Sequence, residues 1–112
     1  MSISKRVPKR LRAVLTETRD SLRQIYQHRL KELILFGSHA RGEQAQYSDI
    51  DLILLLEGVE DESRERERYL PAISDISLKY DTVVSIIPFD VKVFQTKRTP
   101  LILNAQKEGI RI

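Results

Sequence analysis

The sequence predicts a single α/β (α+β) domain, a small sheet flanked by helices, and three observations carry that reading. The first segment repeats apolar residues at spacings of three and four. Three short apolar or β-branched runs follow, each bounded by turn residues and separated by helical stretches. The whole chain has 112 residues and no Gly/Ser/Pro-rich linker, which leaves room for one domain around one core. The division expected is a helix over residues 1–31 followed by a core over 32–112.

Between Val7 and Leu30 the residues Leu11, Val14, Leu15, Leu22, Ile25 and Tyr26 form one apolar stripe, with Arg and Glu on the other face, the pattern of an amphipathic helix. Glu32 to Phe36 is too short for a helix and stops at Gly37-Ser38, so it reads as a buried strand ending in a tight turn. Residues 38–42 suit one helical turn capped by Ser38 and ended by Gly42. Asp49 to Leu56 begins with alternation and continues as an unbroken apolar run, as expected of a central strand buried on both faces beyond its first turn. Glu60 to Tyr80 reads as a helix that Pro71 kinks or restarts. Asp81 to Ile87 is rich in β-branched residues and reads as a third strand, closed by Pro88. Thr99-Pro100 is a helix start and Gly109 its end.

Composition narrows the function classes. With no cysteine, disulfides and thiolate metal sites are excluded, so any metal must be held by carboxylates, histidines or backbone oxygens. The first residues lack the apolar run of a signal peptide, and no segment approaches the roughly 20 apolar residues of a membrane span, so a cytoplasmic protein is expected. The net charge of +3 is uneven: residues 1–31 hold nine Lys/Arg against Glu17 and Asp20. Such a segment attracts phosphate, nucleic acid or an acidic partner, although a basic helix face is more commonly just solvated.

The chemistry-bearing constellation is Phe36-Gly37-Ser38, ten intervening residues, then Asp49-Ile50-Asp51. Residues two apart on a strand share a face, so both carboxylates project together and repel, and a divalent cation offsets that repulsion. Glycine lets the backbone approach a ligand closely, while the Ser38 hydroxyl and the N–H groups of the turn after it suit an anion. Anion site and metal site side by side are what transfer from a nucleoside triphosphate requires. Either half alone is commonly an ordinary turn or strand start; their conjunction points to function.

Phe36-Gly37-Ser38-His39-Ala40-Arg41-Gly42 followed by Ser48-Asp49-Ile50-Asp51-Leu52 resembles the signature of the polymerase-β-type nucleotidyltransferase superfamily, particularly its minimal (MNT) branch. The resemblance implies the nucleotidyltransferase fold, a small mixed β-sheet flanked by helices, with 32–112 as the catalytic core. It implies two Mg²⁺ ions, with Mn²⁺ as a substitute, held by Asp49, Asp51 and a third carboxylate, and ATP as co-substrate cradled by Gly37, Ser38 and Arg41. Asp81, opening the third strand, is the expected third carboxylate, with Asp90 as its competitor. His39 is expected at the rim. By the same resemblance the chain transfers AMP to a hydroxyl, a tyrosine on a separate small helical HEPN-type protein, as the antitoxin of a toxin–antitoxin pair. The alternatives are a non-catalytic subunit that blocks such a partner by contact, and a nucleic-acid-binding module resting on the basic first helix. Either homo- or hetero-oligomers are compatible with so small a domain.

Overall fold

A computed structural model describes residues 7–37, 39–40 and 49–112. After a 3-10 turn at Lys9–Leu11 come helix α1 (Arg12–Tyr26) and a second 3-10 turn, Gln27–Arg29. Strands β1 (Leu30–Phe36) and β2 (Ile50–Leu56) follow, then helix α2 (Glu62–Lys79), strand β3 (Val84–Asp90), helices α3 (Val91–Thr96) and α4 (Pro100–Glu108), and a two-residue strand β4 (Ile110–Arg111). The sheet order is β3-β2-β1-β4. β1 runs antiparallel to β2 and β4, while β2 and β3 are parallel, so the sheet is mixed.

Helices cover both faces. Leu52, Leu54 and Leu56 of β2 join Leu15, Leu22, Tyr69, Ile73 and Ile76 in a cluster under α1 and α2. The alternate residues Ile53 and Leu55 meet Phe94, Ile102 and Ala105 of α3 and α4. β2 is therefore buried on both faces, which is why its sequence is a continuous apolar run. No described helix is long and apolar enough to cross a membrane.

Three differences from the sequence reading have local causes. Pro88 does not close the third strand; it lies inside β3, opposite Leu54. β3 is an edge strand, where a residue lacking an N–H interrupts no ladder on the open side. Pro71 does not restart α2, which is one helix from Glu62 to Lys79 with the proline exposed, so the carbonyl it orphans faces water. Among the arginines of α1, Arg19 is only 6% exposed rather than part of a solvated face. It lies four residues after Leu15 and three before Leu22, so helical periodicity puts it on the apolar stripe. It pairs with Asp20, with Nε 3.6 Å from Oδ1.

The end of the sheet away from the Gly37 turn is fixed by a polar cluster. Buried Glu65 takes Arg29 at 2.7 Å and Arg68 at 3.1 Å, and its backbone oxygen accepts from the Tyr26 hydroxyl at 3.2 Å. Burial and the neighbouring Glu65 hold that hydroxyl well above its usual pKa. At the C-terminal end, Gly109 packs so tightly between α4 and β1 that an added Cβ would stand 2.5 Å from Ile34 Cγ2 and overlap the Ala105 carbonyl oxygen. Gly109→Ala is expected to destabilise the chain by about 1–3 kcal/mol, read as a lower urea midpoint with an unchanged slope.

Candidate active site

The site lies at one end of the sheet, where β1 leaves at Phe36 and β2 enters at Ile50. Phe36 pairs with Asp51 across β1 and β2, so the Gly37 turn and the carboxylate pair are neighbours through sheet register alone. Gly37 has φ +77, in the left-handed region, and a Cβ built on it would stand 2.8 Å from Asp51 Oδ2. The glycine thus serves both needs at once: a backbone conformation that other residues rarely adopt, and room for the carboxylate against the backbone. The Ala40 N–H donates to the Gly37 carbonyl at 3.1 Å and closes the turn.

Asp51 shares its face of β2 with Ile53 and Leu55, toward α3 and α4, and Asp49, two residues earlier, precedes the strand and is exposed. The Asp51 carboxyl is pushed above the ordinary aspartate range, first by burial and then by the charge of Asp49, with His39 acting in the opposite direction. Burial and a neighbouring like charge both disfavour the ionised form, so they act on Asp51 in the same direction. His39 is not at the rim as expected: it is 4% exposed and close enough for its charge to act on Asp51.

Of the other sequence candidates, Ser38 and Arg41 lie outside the described residues. Asp81 does not open β3. It sits exposed in the turn before the strand, at φ +51, with its N–H donating to the Leu78 carbonyl at 3.3 Å. Among the described residues no three His, Asp or Glu side chains gather closely enough to hold one ion, so Asp81 is not brought together with the pair. Asp90 pairs with Leu56, at the opposite end of the sheet from Asp51. It caps α3 through the Lys92 N–H at 2.8 Å and takes the Gly58 and Val59 N–H groups at 3.1 and 3.3 Å. Those bonds, that of Lys92 foremost, hold its carboxyl below the usual range. The β3 residue level with Asp51 is Ser85, which sequence reasoning passed over because nothing but the register pairs the two.

A mixed four-stranded sheet with a glycine turn against a carboxylate pair defines a class, and comparison with known proteins agrees. Residues 15–112 match the model of the nucleotidyltransferase domain, and the chain belongs to that family. It is 28% identical over 99 residues to a candidate protein adenylyltransferase of Methanocaldococcus jannaschii, MJ0141, covering 88% of this chain and 95% of the relative. A second protein of that organism described in the same words, MJ0604, is 30% identical over 78 residues, covering 70% and 72%. Among solved structures, a chain of a mutant MntA–HpeT toxin–antitoxin complex superposes with TM-score 0.62 at 21% identity, covering 88% of this chain and 70% of that one. A toxin–antitoxin structure with AMP-PNP gives 0.59 at 20%, covering 84% and 68%. A candidate minimal nucleotidyltransferase gives 0.59 at 20%, covering 91% and 95%. These structural likenesses show the shared fold. The chain is a nucleotidyltransferase, similar in sequence to proteins described as protein adenylyltransferases.

Proposed function

We propose that this chain transfers AMP from ATP to a hydroxyl of a separate small helical protein of the HEPN type, and so acts as the antitoxin of a two-part system. The observation that carries the reading is the close approach of Asp51 to Gly37, where an added Cβ would stand 2.8 Å from Asp51 Oδ2, on a carboxyl raised by burial and by the charge of Asp49. A structural turn has no need of two like charges at a partly buried strand end, where their repulsion and lost hydration oppose folding. The resemblance to toxin–antitoxin structures, one of them with AMP-PNP, supports the choice of nucleotide and of a protein partner.

In this reading Asp49 and Asp51 hold Mg²⁺, two ions in the full complex, with Mn²⁺ as a substitute. The donor set fits, because Mg²⁺ is commonly held by one or two carboxylates together with substrate phosphates. The ions supply charge neutralisation at the α-phosphoryl group when bound. Gly37 would bring backbone rather than side chain to the phosphates, Ser38 would help hold the β- and γ-phosphates, and Arg41 would offset charge developing at the α-phosphoryl group. Asp81, with its exposed side chain in the turn before β3, is assigned to the acceptor side. The acceptor oxygen, a tyrosine hydroxyl, attacks the α-phosphorus and the bond to the β-phosphate oxygen breaks. Pyrophosphate leaves and the hydroxyl proton passes to solvent.

Incubation with Mg²⁺, a candidate helical partner and ATP labelled at either the α- or the γ-phosphate tests this directly. Label on the partner from α-labelled ATP only, lost with EDTA, is the expected result. Label from γ-labelled ATP would indicate phosphoryl transfer instead. A tight complex with no label from either would leave a non-catalytic subunit that neutralises its partner by contact.

A further inference from the structure

The last row at the site end that spans three strands is Phe36, Asp51 and Ser85, side by side across β1, β2 and β3. All three face α3 and α4. Asp51 alternates with Ile50 and Leu52, and Ser85 with Val84 and Ile86, residues of the opposite cluster, while Phe36 packs toward Phe94 and Ile102. The next row inward on the same face, Ile34, Ile53 and Ile87, is apolar. Neighbouring strands stand about 4.8 Å apart, so a side chain level with Asp51 on the same face opens into the same volume above the sheet. On β3 that side chain is a hydroxyl. The residues two before and two after it, Val83 and Ile87, offer no side-chain oxygen.

We infer that the Ser85 hydroxyl is the third protein oxygen of the site, a neutral group standing where a third carboxylate would complete the ligand set. The inference rests on the metal-dependent reading given above. Its consequence is a matter of charge: two carboxylates and a hydroxyl hold a divalent cation far less tightly than three carboxylates, since affinity for oxygen-bound cations follows the number of charged ligands. The free chain therefore binds the ion weakly, and the ion enters together with the nucleotide, whose phosphates supply the missing negative charge. The half-buried position of Ser85 leaves it reachable from solvent.

Calorimetric titration with Mn²⁺, with and without a non-hydrolysable ATP analogue, tests the inference on wild type and on Ser85→Ala, Ser85→Asp, Ser85→Asn and Asp51→Asn. Ser85→Asp is expected to raise nucleotide-free Mn²⁺ affinity about ten-fold or more, and Ser85→Asn, similar in size but uncharged, to leave it near the wild-type value. Ser85→Ala is expected to lower nucleotide-dependent Mn²⁺ affinity by about ten-fold with the melting temperature unchanged. If Ser85→Asp fails to fold, Ser85→Ala decides alone, and unchanged affinity there overturns the assignment. Loss of Mn²⁺ binding in Asp51→Asn with no response to any Ser85 substitution overturns the role of Ser85 while keeping the metal site. No Mn²⁺ binding by wild type under either condition overturns the metal-dependent reading itself.

Discussion

Asp51→Asn is expected to reduce nucleotidyl transfer on the order of 10³-fold or more, because in the proposed reading the substitution removes one of the two carboxylates that hold the metal beside the transferring group. The same variant is expected to be at least as stable as wild type when metal is absent. Its cause is the raised carboxyl of Asp51, pushed up by burial and by Asp49. Between the ordinary aspartate value, about 3.9, and the raised folded value, the folded chain binds more protons than the unfolded one. Stability therefore falls as pH rises through that interval, and the penalty persists at neutral pH. Asparagine carries no such charge, so its pH–stability curve should lack this fall. Thermal melts from pH 4 to 8 in EDTA, run beside transfer assays, check both halves. A variant that is inactive and also markedly less stable at neutral pH would mean that Asp51 serves the fold.

Gly37→Ala is expected to lose about 100-fold in transfer, since a displacement of about 1 Å at a reacting centre is enough for that. Two effects act together. At φ +77 a non-glycine residue is strained by about 1–2 kcal/mol, and the new Cβ would stand 2.8 Å from Asp51 Oδ2, so the carboxylate must move. Gly58 provides the control. It has φ +80 with nothing within 4 Å of an added Cβ, and it donates to Asp90 at the far end of the sheet. Gly58→Ala should show the strain as a lower urea midpoint and keep its activity, whereas Gly37→Ala should show both losses. Equal activity losses in the two variants would detach the Gly37 contact from catalysis.

The contrast between what the sequence discloses here and what it conceals follows from range. β1, β2 and α4 announce themselves through local patterns: a short apolar run before Gly37, a run of five apolar residues after Asp51, and Thr99-Pro100 capping a helix, with Thr99 Oγ1 accepting from the Ile102 N–H. The Gly37–Asp51 juxtaposition is legible because the two motifs lie close together in sequence. Register across the sheet was not. Asp81 looked like a strand residue by composition, yet β3 begins at Val84 and a turn holds the aspartate before it. Asp90 belongs to the α3 cap, a pairing with Gly58 and Val59 more than thirty residues away. α3 and β4 were missed for the same reason. Six and two residues long, they are held by the surfaces they meet, Phe94 against Ile53 and Leu55, and Ile110 against Leu35, rather than by their own periodicity. His39 and Arg19 show that a polar residue's burial is set by its neighbours on the strand turn or helix stripe rather than by its type.

The most direct test of the central claim is a crystal structure with Mn²⁺ and a non-hydrolysable ATP analogue, read through the anomalous signal of manganese. The account predicts a manganese peak coordinated by Asp49 and Asp51 and by phosphate oxygens of the analogue, with the Gly37 turn against the triphosphate. Nucleotide bound elsewhere, or bound at Gly37 with no manganese at the two aspartates, would contradict it.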